Sequence, residues 1–336
     1  MKKKIIPLII AISITLYATG CGRVSVENNA KEKIDISATN ENDSSEAPKE
    51  NTTLKTQGQV SKPETQSNKE DSNSKNNKEN QKSSENINKI SSENKSSNNT
   101  SINTSNKEIS WYYVPRTDGV PPRCVESATN ILNKYDTYYL GNTSNKTIYL
   151  TFDEGYENGY SSKILDILKE NKVKAAFFVT TPYIESNKEL IKRMVDEGHL
   201  VCNHSTHHPS MASINDLSKF NGEFSVCEKA YKEVIGKDMP KFFRPPMGKF
   251  SETSLKRTKD LGYKTIFWSF AYGDWQTDKQ PTQDKAKKTI MERLHPGAIY
   301  LLHAVSKTNT EVLDEVIKNI KSQGYSFKTL NDLPNY

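Results

Sequence analysis

The stretch Lys146 to Asp153, KTIYLTFD, opens with alternating residues and turns apolar before ending on a carboxylate. β-Branched and aromatic residues in such a run predict a strand. Working outward from it, Ser161–Glu170 has the spacing of an amphipathic helix, and Lys174–Thr180 (KAAFFVT) reads as a second, buried strand. Further strands are predicted at His199–Asn203, Phe242–Arg244, Lys264–Ser269, Ala298–His303 (AIYLLH) and Tyr325–Thr329. Helices are predicted at Asn187–Glu197, Asn215–Ile235, Ser251–Leu261, Thr282–Leu294 and Thr310–Ser322. Gly198, Gly236 and Gly262 end three of them, and Ser251 is a good N-cap. Alternating strands and helices imply an α/β fold with a parallel sheet wrapped by helices. About seven strands favour a closed or nearly closed (β/α) barrel over an open sheet. Asp153, His204, Arg244, Asp274 and His303 then fall at strand ends, where such a barrel builds its active site.

The rest of the chain is of another kind. Of 336 residues only 34% are hydrophobic, and no aromatic residue lies between Tyr17 and Trp111. The chain therefore reads as a signal segment (1–21), a Ser/Asn/Lys/Glu-rich linker (22–108) and one catalytic domain (109–336). The linker cannot bury enough apolar surface to offset its ordering entropy and reads as a flexible tether. A polytopic membrane protein is excluded, since only one long apolar run exists. That run, Ile5–Ala18, follows Lys2, Lys3 and Lys4 and suits a signal peptide. Ala18-Thr19-Gly20-Cys21 resembles a bacterial lipoprotein cleavage site, with Ala18 where Leu is favoured. Every version of this leader exports the domain, either to the cell membrane as a lipoprotein or to the cell wall.

Net charge is +6, three units of it in the leading lysines, and no dense basic patch suggests nucleic acid as a partner. Cys124, Cys202 and Cys227 remain if Cys21 is modified; the odd number forbids complete internal pairing, and small buried thiols are the reading for Cys202 and Cys227.

Five short stretches carry the candidate chemistry. In Thr151-Phe152-Asp153-Glu154-Gly155, adjacent acids cannot both ionise freely unless a cation or proton intervenes. One could hold metal while the other works as a base. In His204-Ser205-Thr206-His207-His208, the first and last histidines have the i, i+4 spacing that can bite one divalent cation, while His207 points elsewhere. In Phe243-Arg244-Pro245-Pro246-Met247-Gly248, two prolines restrain the backbone beside an Arg able to orient Asp153. Trp268 to Trp275 supplies aromatic faces for sugar rings, Trp275 above all, and one carboxylate, Asp274. Leu301-Leu302-His303 ends a buried strand on a group suited to general acid catalysis, tuned by a carboxylate such as Asp274.

Taken in order, TFDEG, HSTHH, RPP, DW and LLH resemble the polysaccharide deacetylase (NodB-homology) family over residues 148–335. TFDEGYENGY, NHSTHHPSM, RPPMGKFSE and HPGAIYLLHAVS look most like its delta-lactam-biosynthetic, muramic acid branch. The resemblance implies a distorted (β/α) barrel and a metal-dependent hydrolase that removes N-acetyl groups from peptidoglycan glycan strands. It implies N-acetylmuramic acid as substrate, giving muramic δ-lactam in spore cortex. Asp153 falls on the base, Arg244 on the residue that positions it, His303 on the acid and Asp274 on its tuning partner. His204 and His208 fall on ligands of one divalent ion (zinc, or manganese or cobalt). Glu154 stands where many members have a second metal-binding Asp, and it reaches one methylene farther. The backbone N–H of Met247 could join the metal in holding an oxyanion. Two alternatives stay open: deacetylation of N-acetylglucosamine in wall or chitin oligomers, and a wall-binding lipoprotein without turnover. An O-acetyl esterase would use the same site.

Overall fold

The computed structural model describes residues 104–334, so the expected leader with Cys21 and nearly all of the expected linker lie outside the described residues. In chain order the elements are β1 (Ile109–Ser110), α1 (Glu126–Leu132), β2 (Thr137–Tyr138), β3 (Thr147–Glu154), α2 (Ser161–Glu170), β4 (Ala176–Val179) and α3 (Thr181–Ser186). There follow α4 (Lys188–Asp196), β5 (Leu200–Asn203), α5 (Leu217–Ile235), β6 (Phe242–Phe243), β7 (Lys249–Phe250) and α6 (Glu252–Asp260). The last are β8 (Lys264–Ile266), α7 (Gln283–Glu292), β9 (Ala298–His303), α8 (Lys307–Ser322) and β10 (Ser326–Lys328).

One parallel sheet of eight strands organises the domain. β2, β8, β6, β5, β4 and β3 neighbour one another in that order. β4 pairs with the end of β3 and β10 with its start, while β9 runs along Ile148–Asp153 and so takes the other edge. Past β8 the chain reaches β9 as well. Ser269 N–H donates to the Ile299 carbonyl (3.0 Å) and Leu301 N–H to the Phe270 carbonyl (2.9 Å). These bonds close the sheet on itself, and the fold is the expected distorted (β/α) barrel. The eighth strand is β2, whose two residues are too short to leave a periodic signal. The short helix α3, with Pro182 in its first turn, is not among the predicted helices.

Every residue of β3 is buried, since the barrel interior covers one face and helices the other. Alternation sorts the side chains. Tyr149, Phe178, Cys202, Phe242, Ile266 and Ile299 share one core. Leu150, Phe152, Phe177, Val201, Tyr300 and Leu302 pack with the helices in another. Successive strand residues point to opposite faces, so the residue types at the strand ends inherit this sorting.

The helices stop and start where the sequence places caps. Asp216 accepts from the Lys219 amide at the start of α5, Gly236 ends that helix at φ 75°, and Ser251 and Ser254 form a capping box on α6. Residues ahead of the expected domain start at 109 are packed too. Thr104 bonds Thr253 (2.9 Å), and Ser251 donates to Asn106 (3.0 Å). Among the described residues no helix is long and apolar enough to cross a membrane.

Candidate active site

The inward positions of four strand ends meet at the carboxyl end of the barrel. Asp153 follows Tyr149 and Thr151 on the interior face of β3, and the register sets it directly beside His303 of β9. His204 lies one step past β5 in phase with Cys202, and Arg244 one step past β6 in phase with Phe242. Asp153, His204, His208, Met247, Trp275 and His303 line one cavity of about 740 Å³. That volume lies within the range of ligand pockets.

Arg244 is fully buried behind Asp153. Its guanidinium donates to Asp153 Oδ1 (2.7 Å) and, through Nε, to the Ile266 carbonyl (3.1 Å). It also lies 4.2 Å over the Phe178 ring. Burial alone would raise the pKa of Asp153, but the charge of Arg244, with His204 and His303 behind it, holds that carboxyl below its ordinary value. Asp153 is therefore an ionised carboxylate whose Oδ2 faces His204 Nε2 at 3.5 Å.

His303 is the opposite case. Its Nδ1 is 2.7 Å from Asp274 Oδ1, and its backbone N–H donates to Oδ2 (2.9 Å). Asn309 donates to the same Oδ2 at 2.5 Å, so Asp274 is fixed from three sides. Burial of His303 disfavours its charged form, but the hydrogen bond and charge of Asp274, with Asp153 opposite, outweigh it and raise the pKa. One wall of the cavity thus holds a carboxyl biased towards its charged form and the other an imidazole biased towards its protonated form.

His204 donates from Nδ1 to the Arg244 carbonyl (2.8 Å), since a carbonyl only accepts. Its Nε2 lone pair then faces the cavity. Burial pushes its pKa down to about 4, and desolvation lowers that of His208 as well, although its ring opens to the cavity. Two neutral imidazoles, with ring centroids 4.9 Å apart, suit a divalent cation as nitrogen donors. Among the described residues no three His, Cys, Asp or Glu side chains form a ready cage. The pair is brought together by a loop and not by a helix face. Ser205 and His208 both take left-handed backbone angles (φ 69° and 57°), as does Met247 (φ 58°). Non-glycine residues rarely adopt this conformation, and it gathers at functional sites. His207, as expected, points outward and pairs with Glu223.

The assignment of Glu154 as a metal ligand is not supported by its position and is corrected here. Being next to Asp153 on a strand, it points to the opposite face, under α2. Its Oε1 accepts from Ser161 (3.4 Å), its Oε2 has no hydrogen-bond partner among the described residues, and it does not line the cavity. Burial, with Glu157 and Asp153 nearby, raises its pKa well above the ordinary value. It is a carboxyl biased towards its neutral form in the helix layer.

The family model described as polysaccharide deacetylase matches residues 140–266. The peptidoglycan-N-acetylmuramic acid deacetylase PdaA of Bacillus subtilis is 47% identical over 229 residues, covering 68% of this chain and 86% of PdaA. The chain belongs to the polysaccharide deacetylase family. It is an enzyme of the deacetylase class, a hydrolase of non-peptide amide bonds. The solved structure of B. subtilis PdaA, a family 4 carbohydrate esterase, matches this deacetylase with a TM-score of 0.66 at 44% identity, over 68% of this chain and 97% of that one. A peptidoglycan-N-acetylglucosamine deacetylase of Bacillus cereus is 30% identical over 203 residues, covering 59% of this chain and 72% of that protein.

Three parts of the deacetylase cavity had not been singled out from sequence. Tyr156 lines it and is 55% exposed, like Trp275 and Met247 at 53% each, giving the mouth an apolar rim. Asn309 supports Asp274, and Glu223 supports the histidine loop. TFDEGYENGY placed Tyr156 within reach of the first motif, but nothing in the helical patterns of α5 and α8 marks Glu223 or Asn309.

Proposed function

We propose that the deacetylase hydrolyses N-acetyl groups on peptidoglycan, with N-acetylmuramic acid as its substrate. The observation that carries this reading is a carboxylate held by Arg244 and a histidine held by Asp274 lining one cavity. Asp153, ionised by Arg244, accepts the proton of the attacking water. His303, biased towards imidazolium by Asp274, gives its proton to the departing amine. A mere binder has no use for that pair. His204 and His208 would hold a divalent cation, which when bound polarises the acetyl carbonyl and makes water more acidic. The apolar rim of Tyr156, Met247 and Trp275 suits the faces of sugar rings.

The relatives support muramic acid over glucosamine, 47% identical for the enzyme named for the first and 30% for one named for the second. Freed muramic amine could close on its own lactyl carboxyl, giving the δ-lactam of spore cortex. The leader, with or without a lipid on Cys21, would deliver the domain outside the cell, and the linker would let it reach the wall. Mass spectrometry of peptide-stripped glycan after digestion tests the substrate. Loss of acetyl from muramic residues supports the reading; loss confined to glucosamine overturns it in favour of the alternative.

A further inference from the structure

We propose that Glu223 is a positioning residue that sets the loop carrying His204 and His208, and through it the affinity of the site for a divalent cation. The inference rests on the metal reading given above. Glu223 lies on α5, outside all five sequence motifs, and its carboxylate is only 12% exposed. One oxygen, Oε2, accepts from two consecutive backbone amides, Thr206 (3.0 Å) and His207 (2.9 Å). The other, Oε1, lies 2.8 Å from His207 Nδ1. The Glu223 carbonyl also accepts from the Thr206 hydroxyl (3.1 Å).

These contacts fall on the two residues between Ser205 and His208, the loop's left-handed positions. A loop bent twice in this way needs outside bonds to persist. Ser205 is tied to Asn203 through its amide (2.8 Å), and His208 N–H donates back to the Ser205 hydroxyl (2.9 Å). Those bonds stay close to the loop itself. Glu223 is the charged group that ties the middle of the loop to a helix. Hydrogen bonds to a carboxylate acceptor are the stronger kind, and these hold two of the residues that separate His204 from His208 in the chain. His207, which by itself reads as a surface histidine, gains a role as part of the clamp.

Removing the carboxylate frees the loop, so the two imidazoles lose their fixed separation. Groups that orient metal ligands typically change affinity by about 10- to 100-fold when mutated. The test measures Co²⁺ and Zn²⁺ dissociation constants of the full chain by competition with a chromophoric chelator, with melting curves for each variant. Glu223→Ala is expected to weaken both ions by about 10- to 100-fold. Glu223→Gln keeps an oxygen able to accept from both amides and should recover most of the affinity. Glu233→Ala, an exposed site on the same helix, should match wild type. His207→Ala removes one outward contact and should give a smaller loss, which keeps the test alive if Glu223→Ala does not fold. Wild-type affinity in folded Glu223→Ala, or in His207→Ala if Glu223→Ala does not fold, overturns the proposal. A wild type that binds neither ion overturns the metal reading instead. Acetate release then decides on Glu223: a loss in Glu223→Ala sustains the clamp, and an unchanged rate ends it.

Discussion

Asp153 and Glu154 are consecutive carboxylates on one strand, and the fold gives them opposite states. Asp153 faces the barrel interior, where a buried guanidinium keeps it ionised. Glu154 faces the helix layer, where Ser161 is its partner and desolvation favours its neutral form. The residue types are nearly identical, so the difference lies in which face of the sheet each side chain meets. A charge is affordable only on the side where a counter-charge waits.

The largest expected effect comes from erasing the ionised member. Asp153→Asn should lower kcat for acetate release from peptide-stripped glycan by roughly 10²- to 10⁴-fold, the range of a lost general base. A rate equal to wild type would remove Asp153 from the chemistry and leave the comparison between the two acids without content.

Asp274→Asn acts on the opposite wall. With Asp274 gone, burial dominates His303 and its pKa falls. The general acid works below its own pKa, so the alkaline limb of the kcat profile should move to lower pH. The rate at neutral pH should fall by about 10²-fold. An unmoved alkaline limb would show that His303 is not the group losing a proton there.

Trp275→Ala probes the rim, where neither proton state is at stake. Its ring centroid lies 5.9 Å from that of His303, so it borders the chemistry without joining it. KM should rise by roughly tenfold, about 1.4 kcal/mol, with kcat nearly unchanged. A fall in kcat alone would instead make Trp275 part of the support for His303.

Much of this was legible in the sequence because strand ends of an α/β barrel are both apolar runs and addresses. KTIYLTFD and AIYLLH declared their strands, and their last residues proved to be register partners. The same alternation that marks Tyr149, Thr151 and Asp153 as inward marks Glu154 as outward, so its exclusion from the cavity was present in the pattern. The family comparison of motif positions pulled the other way, because adjacency in sequence looks like adjacency in space. What left no trace was support from a distance: Glu223 and Asn309 sit on helices whose periodicity reports only packing. The left-handed angles of Ser205, His208 and Met247 were equally silent, since glycine is the usual signal for them.

The smallest effect on rate should come from Glu154→Gln, and it sharpens the comparison most. Gln has nearly the shape of the neutral acid, so acetate release and metal affinity should match wild type. Stability should not. The unfolded Glu154 ionises near its ordinary value of 4.5, while the folded one stays protonated well above it. Between those two values the folded state binds the extra proton, so wild-type stability falls as pH rises through that window. Gln does not titrate and escapes this loss. Melting temperatures of the two proteins should coincide near pH 4 and diverge towards neutral pH, with the Gln variant the more stable. A flat difference, or one of the opposite sign, would mean that Glu154 is ionised in the folded protein, as a cation ligand would be. The two acids would then share one state, and the face of the sheet would no longer account for them.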